Sequence, residues 1–301
     1  MPLIVDTIIL LFASIAMLAV LTWTDGTSVT PDGAIYLAAG RGERVSRPFN
    51  RRPLWPFLLR DNIASWTITA YISTILTPPL LGIYLGSVGM DRWGRLLGGL
   101  LIMSLPGSFR LLARWPVLVD APSNFLALLC AVLELRGHHV LAALVSIVSC
   151  TSKEHTPILA SLFSGSFIPL IGYLGSAFWF LRKPLPNVTG TRVYFIEAVM
   201  GHRERQSGGA LVDIQIMLLP WGVVSFMYAW GIWNAPAWQV ICSILALLFC
   251  YAIVLVVWER SRVFTWAAPI VIAVALQSGF SLGLLLALLL VHTFNPWARQ
   301  S

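Results

Sequence analysis

Long apolar runs alternate along this chain with short polar breaks, and many runs have the length a helix needs to cross a bilayer. Read by run and break, the pattern predicts about ten helices: roughly 3–22, 62–89, 95–113, 116–135, 139–152, 157–181, 211–233, 237–257, 264–277 and 279–294. The first, second, sixth, seventh and eighth are full spans by length. The run 139–152 is shorter than the ~20 residues a span requires. Residues 264–294 read as one long tilted helix or as two short ones broken at Ser278-Gly279, so nine and ten spans both fit. Two breaks are long: Trp23 to Asp61, and Arg182 to about Ala210. Barrel strands would alternate polar and apolar positions, and these runs do not. No internal repeat, low-complexity tract or separate soluble region interrupts the pattern. The expected fold class is therefore all-α, a polytopic transmembrane protein forming a single membrane domain over residues 1–301.

Composition agrees. Of the 301 residues 57% are hydrophobic and 11% charged, and the mean hydropathy is +0.80. A soluble domain carries roughly a quarter charged residues, so a soluble enzyme is excluded. So is a disordered chain. The net charge is +7, from 20 Lys+Arg against 13 Asp+Glu, and only Lys153 and Lys183 are lysines. An arginine-rich balance suits phosphate groups of lipids or substrates, because the guanidinium binds two oxygens at once. Nucleic acid is not an expected partner, since no soluble region is long enough to bind it. The four cysteines, Cys130, Cys150, Cys242 and Cys250, lie inside apolar runs without a CxxC pair. They read as small core residues rather than a zinc site or disulfide framework. The N-terminus lacks the basic start of a signal peptide and reads as a retained first span.

Positive charge then orients the chain. With a cytoplasmic N-terminus and ten spans, the inner segments hold most of the arginines, and the short outer loops hold only Arg110, Arg114 and Lys153. The first long loop breaks the rule, with Arg41, Arg44, Arg47, Arg51, Arg52 and Arg60 outside. These arginines call for a partner such as a phosphate-bearing lipid or substrate; the alternative is an inverted topology. In the N-inside arrangement three polar clusters share the outer side: Asp25 to Arg60, Arg110 to Asp120, and Ser152-Lys153-Glu154-His155. Acids kept at such a depth are costly and point first to function. Plainer readings exist. Asp120 before Ala121-Pro122 suits a helix N-cap. Lys153-Glu154 could be an exposed ion pair, and Asp25-Gly26 a turn. Asp32-Gly-Ala-Ile-Tyr36 has no comparable structural explanation; its spacing sets Asp32 and Tyr36 on one face of a short helix. Residues 184–210 suit an amphipathic helix on the inner surface. The sequon Asn187-Val-Thr189 falls inside and is expected to stay unmodified.

Several of these segments together resemble a known family. Asp32-Gly-Ala-Ile-Tyr36, Ala38-Ala39 and Arg52-Pro53-Leu54-Trp55-Pro56 are similar to the first outer loop of the GT-C glycosyltransferases, polytopic enzymes that take sugar from a polyprenyl-phosphate carrier. Val119-Asp120-Ala-Pro122 resembles that family's second acidic position, and Thr151-Ser-Lys153-Glu154 its basic outer-face motif. The matches cover roughly residues 25–160, which makes residues 1–181 the GT-C-like catalytic half and 182–301 additional transmembrane helices. The chain departs from some branches in lacking a paired Asp-Glu, since Gly33 follows Asp32.

The resemblance implies a glycosyltransferase, hexosyl or pentosyl, working at the outer or lumenal face of the plasma membrane or endoplasmic reticulum. The donor would be a polyprenyl-phosphate sugar, such as a dolichol-phosphate mannose. A lipid, glycan or protein would be the acceptor. It implies Asp32 as general base, with Asp25 as alternative. Asp120 would be the second catalytic acid, orienting the acceptor or helping to hold a metal. Arg51, Arg52, Lys153 and Arg114 would bind the donor phosphate, and Tyr36, Glu154 and His155 would bind or orient the acceptor. Metal dependence stays open; oxygen ligands from Asp25, Asp32, Asp120 and Glu154 would suit Mg2+ or Mn2+. The competing readings are a transporter or flippase for a lipid-linked or anionic substrate, which usually shows internal repeats, and a non-catalytic membrane subunit. A lipid-phosphate phosphatase is rejected, because no Pro-Ser-Gly-His follows Arg52-Pro53.

Overall fold

The computed structural model describes residues 2–45, 49, 52–105, 107–174, 221–254 and 263–293. Among them most residues are helical and none is in a strand. The helices are α1 (Pro2–Asp25), α2 (Pro31–Gly40), α3 (Leu54–Leu59), α4 (Ile63–Ser87), α5 (Arg92–Ser104), α6 (Phe109–Arg114), α7 (Asp120–Leu135), α8 (His139–Ser152) and α9 (Thr156–Ser164). After a 3-10 turn at Ile168–Ile171 come α10 (Val223–Gly231), α11 (Ala237–Val254), α12 (Ala268–Ala275) and α13 (Leu282–Thr293). The segments 182–210 and Asn187-Val-Thr189 lie outside the described residues.

Local chemistry sets many of the ends. The Thr30 hydroxyl accepts from Gly33 N at 3.0 Å and Pro31 opens α2, where Pro's missing N–H costs nothing. Asn62 caps α4 by accepting from Ser65 N, and Asp91 caps α5 by accepting from Gly94 N. Gly165 ends α9 in the left-handed conformation that spares it a Cβ clash.

The observed helices refine the expected ones. The run 95–113 is two helices, α5 and α6, because the chain turns between Leu105 and Ser108. Within the run 157–181 the helix α9 ends at Ser164 and a 3-10 turn follows at Ile168–Ile171; residues 175–181 lie outside the described residues. Within the expected 264–294, residues up to 293 are described and hold two α-helices, broken where Gly279 takes a φ of +74°. The first long loop is not irregular: it holds α2 and α3.

One large core joins α4, α7 and α9 to α10, α11 and α12. Every residue of α12 is buried, as expected of a helix that is apolar on all sides. Glycines allow close approach: Gly98 lies against Leu85 of α4, and a Cβ on Gly99 would sit 2.5 Å from Leu10 of α1. Two described helices are long and apolar enough to cross a membrane, Leu3–Asp25 and Ile63–Ser87; His139–Ser152, Ala237–Ile253 and Thr265–Ala275 are shorter apolar segments. Large apolar side chains also face outward at helical spacing. Examples are Ile4, Ile8 and Phe12 on α1, Val140, Leu144 and Val148 on α8, and Ile241, Ile244, Leu245 and Leu248 on α11.

Candidate functional site

The end of the bundle that carries α2 and α3 gathers the buried Asp120, Lys153 and His155. A smaller cluster of Tyr36, Leu37, Trp66, Val117 and Val119 fastens α2 there, with Phe49, Trp55 and Leu59 against it. Two glycines let α2 sit close. A Cβ on Gly33 would lie 2.8 Å from the Val117 carbonyl oxygen, and Gly40 lies directly against the Arg60 backbone. Arg60 itself holds a φ of 51°, rare outside glycine. Tyr36 thus points inward, packed edge-on against Phe49 with ring centroids 5.1 Å apart.

Two charged networks meet in the turn between α8 and α9. In the first, Arg52 donates from Nε and Nη2 to the two oxygens of Glu154, both at 2.8 Å, and from Nη1 to the Tyr36 hydroxyl at 2.9 Å. A fork of this kind fixes orientation as well as charge. In the second, Lys153 Nζ donates to Asp120 Oδ1 at 2.6 Å, and both side chains are under 5% exposed (3% and 4%). Trp266, just before α12, joins this pair: its indole N–H donates to Asp120 Oδ1 at 3.3 Å, and Lys153 Nζ sits 4.0 Å from its ring centroid. His155 stacks on the same indole at 3.9 Å, and its Nε2 is buried without a hydrogen-bond partner among the described residues. Hydroxyls tie the networks to their helices. Trp55 Nε1 donates to Ser152 Oγ at 2.5 Å, and Ser152 and Ser123 share a hydrogen bond of 2.6 Å.

Environment sets the protonation of these groups. Burial works to raise the Glu154 carboxyl, but hydrogen bonds and charge from Arg52 hold it down at about 2. Burial, and then the Lys153 charge, keep His155 well below 6.5, so its ring is neutral. Burial pushes the Tyr36 phenol up to about 12 against the pull of Arg52, so it stays protonated.

Tyr36, Arg52 and Glu154 are therefore in one network, and Asp120, Lys153 and His155 in the other. Asp32 lies one turn before Tyr36 in the first turn of α2 and is half-buried. Asp25 lies elsewhere, at the end of α1, where it accepts from Arg110 Nε at 2.7 Å. Arg114 is exposed at the end of α6, its guanidinium 5.5 Å from the Trp115 ring centroid. Its carbonyl accepts from Ser28 N at 2.8 Å, which ties α6 to the linker before α2. Arg51 lies outside the described residues. Two plainer sequence expectations do not hold. Asp120 is the first residue of α7 rather than its cap, Val119 being the cap. Lys153 and Glu154 do not pair with each other; each binds a partner from a distant segment.

Sequence reasoning missed Trp266, 146 residues from Asp120, and Ser123, which no local pattern distinguishes from a core serine; Ser152 stood in the outer polar cluster with Lys153 but was given no role. The four carboxylates proposed as metal ligands do not assemble into a cation site. Asp25, Asp120 and Glu154 each hold an Arg or Lys. Among the described residues no three His, Cys, Asp or Glu side chains group to hold a metal. No protein-family model, curated protein or solved structure matches the chain.

Proposed function

We propose that the chain is a polytopic membrane glycosyltransferase that moves a sugar from a polyprenyl-phosphate carrier to an acceptor hydroxyl at the outer or lumenal face, with inversion. The observation that carries this reading is convergence. Four separate segments (α2, the stretch before α3, the start of α7 and the α8–α9 turn) bring acids, bases and a phenol together at one end of the bundle. Ordered polar networks at such a cost are characteristic of functional sites. The outward apolar faces of α1, α8 and α11 support immersion in lipid, since soluble proteins rarely expose contiguous apolar patches of this kind.

In this reading Asp32 takes the proton of the acceptor hydroxyl. The oxygen attacks the anomeric carbon, and the bond to the carrier phosphate breaks, so polyprenyl phosphate leaves with the electron pair. Arg114, exposed beside the α2 linker, and Arg51 meet the developing phosphate charge. Arg52 and Lys153 are already neutralised by carboxylates, and they and Asp120 act as positioning residues that hold α2 and the α8–α9 turn in register.

The full chain in proteoliposomes, given a panel of polyprenyl-phosphate sugars that starts with the mannose derivative, is expected to release polyprenyl phosphate. Asp32→Asn abolishes release while the protein still fractionates with membranes. Transfer undiminished in Asp32→Asn removes Asp32 as the base. A non-catalytic membrane subunit is the second reading, favoured by the charge balance of the networks; lack of release from every donor would select it.

A further inference from the structure

A small, partly open cavity of about 30 Å³ lies between α4, α5, α6, α7, α9 and the start of α12. Trp266, the indole that donates to Asp120, forms part of its wall. The rest is mainly apolar, but two polar side-chain atoms in it, Thr74 Oγ1 and Asn124 Oδ1, are buried with no hydrogen-bond partner among the described residues. Thr74 is 2% exposed. Neither position is explained by local structure. Thr77 on the same helix satisfies its hydroxyl by donating to the Ser73 carbonyl at 2.7 Å, whereas Thr74 does not back-bond in this way. Pro78 has no N–H to pair with the Thr74 carbonyl one turn earlier. On α7, Asn124 stands four residues after Asp120, on the same helix face.

A buried polar atom left unpaired costs more than its hydrogen bond would contribute. Two such atoms facing one small cavity therefore point to a molecule that joins them. The volume admits one or two water molecules and is far too small for a sugar or a lipid chain. We propose that this cavity is an internal hydration site, in which water bridges Thr74 Oγ1 and Asn124 Oδ1 and gives the buried Asp120–Lys153–Trp266 network a polar floor.

The test is a double-mutant cycle in the detergent-solubilised full chain with the near-isosteric changes Thr74→Val and Asn124→Leu. If water bridges the pair, either single change leaves the other polar atom and the water half-bonded. Each is then expected to lower Tm by about 2–4 °C. The double change lets the cavity go dry and recovers at least half of the summed loss, because removing both partners of a buried hydrogen bond is far less costly than removing one. Single changes that raise Tm, or single effects of either sign that add in the double variant, overturn the proposal: in a dry cavity each substitution acts independently. Water-edited solid-state NMR on the unaltered chain gives a readout that does not depend on the variants folding. Rapid magnetisation transfer from water to the Thr74 methyl is expected, and its absence overturns the site.

Discussion

At the residue scale, the Lys153–Asp120 pair is where a single change should matter most. Both charges are removed from water, and such a pair often contributes little net stability, yet breaking it strands the survivor. Lys153→Met is expected to destabilise the chain by about 3–5 kcal/mol, and Asp120→Asn combined with Lys153→Met to recover much of that loss. Thermal unfolding of the purified variants measures both, and a double variant no better than the single would refute the argument. Acid should act in two stages. His155 is held below 6.5 when folded, so the unfolded chain binds a proton that the folded chain refuses, and stability falls as pH drops below about 6.5. Glu154 is held at about 2 against an ordinary value of 4.5. Its contribution is complete above 4.5 and disappears as pH falls through about 2. A Tm profile from neutral pH downwards shows both stages, and His155→Gln should flatten the upper one. A wild-type Tm that does not change from neutral pH to about 5 would contradict the buried, neutral histidine. The sequence displayed all of these residues, and their order along the chain suggested that they meet. It could not show which cation takes which carboxylate, because that choice depends on helices far apart in sequence.

At the scale of elements, the placement of α2 depends on two glycines more than on its own amphipathicity. Gly40→Ala drives a Cβ into the Arg60 backbone, which cannot rotate away as a side chain could. The expected cost is about 1–3 kcal/mol, with Tyr36 drawn off Arg52. Gly283→Ala is the control: it lies in α13, nothing stands within 4 Å of its Cβ position, and its φ is not positive. That change should be neutral, or stabilising by up to about 1 kcal/mol, from helix propensity alone. Unfolding curves should therefore shift to lower Tm for Gly40→Ala and stay in place or shift upwards for Gly283→Ala. The break at Ser278-Gly279 was legible beforehand as one of two alternatives because its signal is local, whereas the caps Asn62 and Asp91 emerged only in the structure. The short helix α3 was hidden in a segment read as a loop, and of α2 only the turn from Asp32 to Tyr36 was legible, since a helix of ten or six residues carries too little periodicity to stand out from its polar flanks. The division of α5 from α6 was masked by apolar residues on both sides of the turn.

For the whole molecule, the proposed orientation makes a direct prediction. Cysteine introduced as Arg41→Cys should react with a membrane-impermeant maleimide in intact cells, and Arg92→Cys only after permeabilisation. The reverse pattern would invert the topology and move the charged end to the cytoplasm. The native cysteines offer little background, since Cys130, Cys150 and Cys250 are buried and Cys242 partly so. Hydrophobic periodicity by itself determined that the chain is helical and apolar almost throughout, because helix formation answers to neighbours three and four residues away. Tertiary structure alone decided the composition of the charged end: Arg52 with Glu154 across 102 residues, Lys153 with Asp120 across 33, and Trp266 brought over Asp120 from the far half of the chain. Buried charges take whatever partner packing sets beside them, and packing is fixed by the shapes of whole helices and the glycines that let them approach, which no local pattern records.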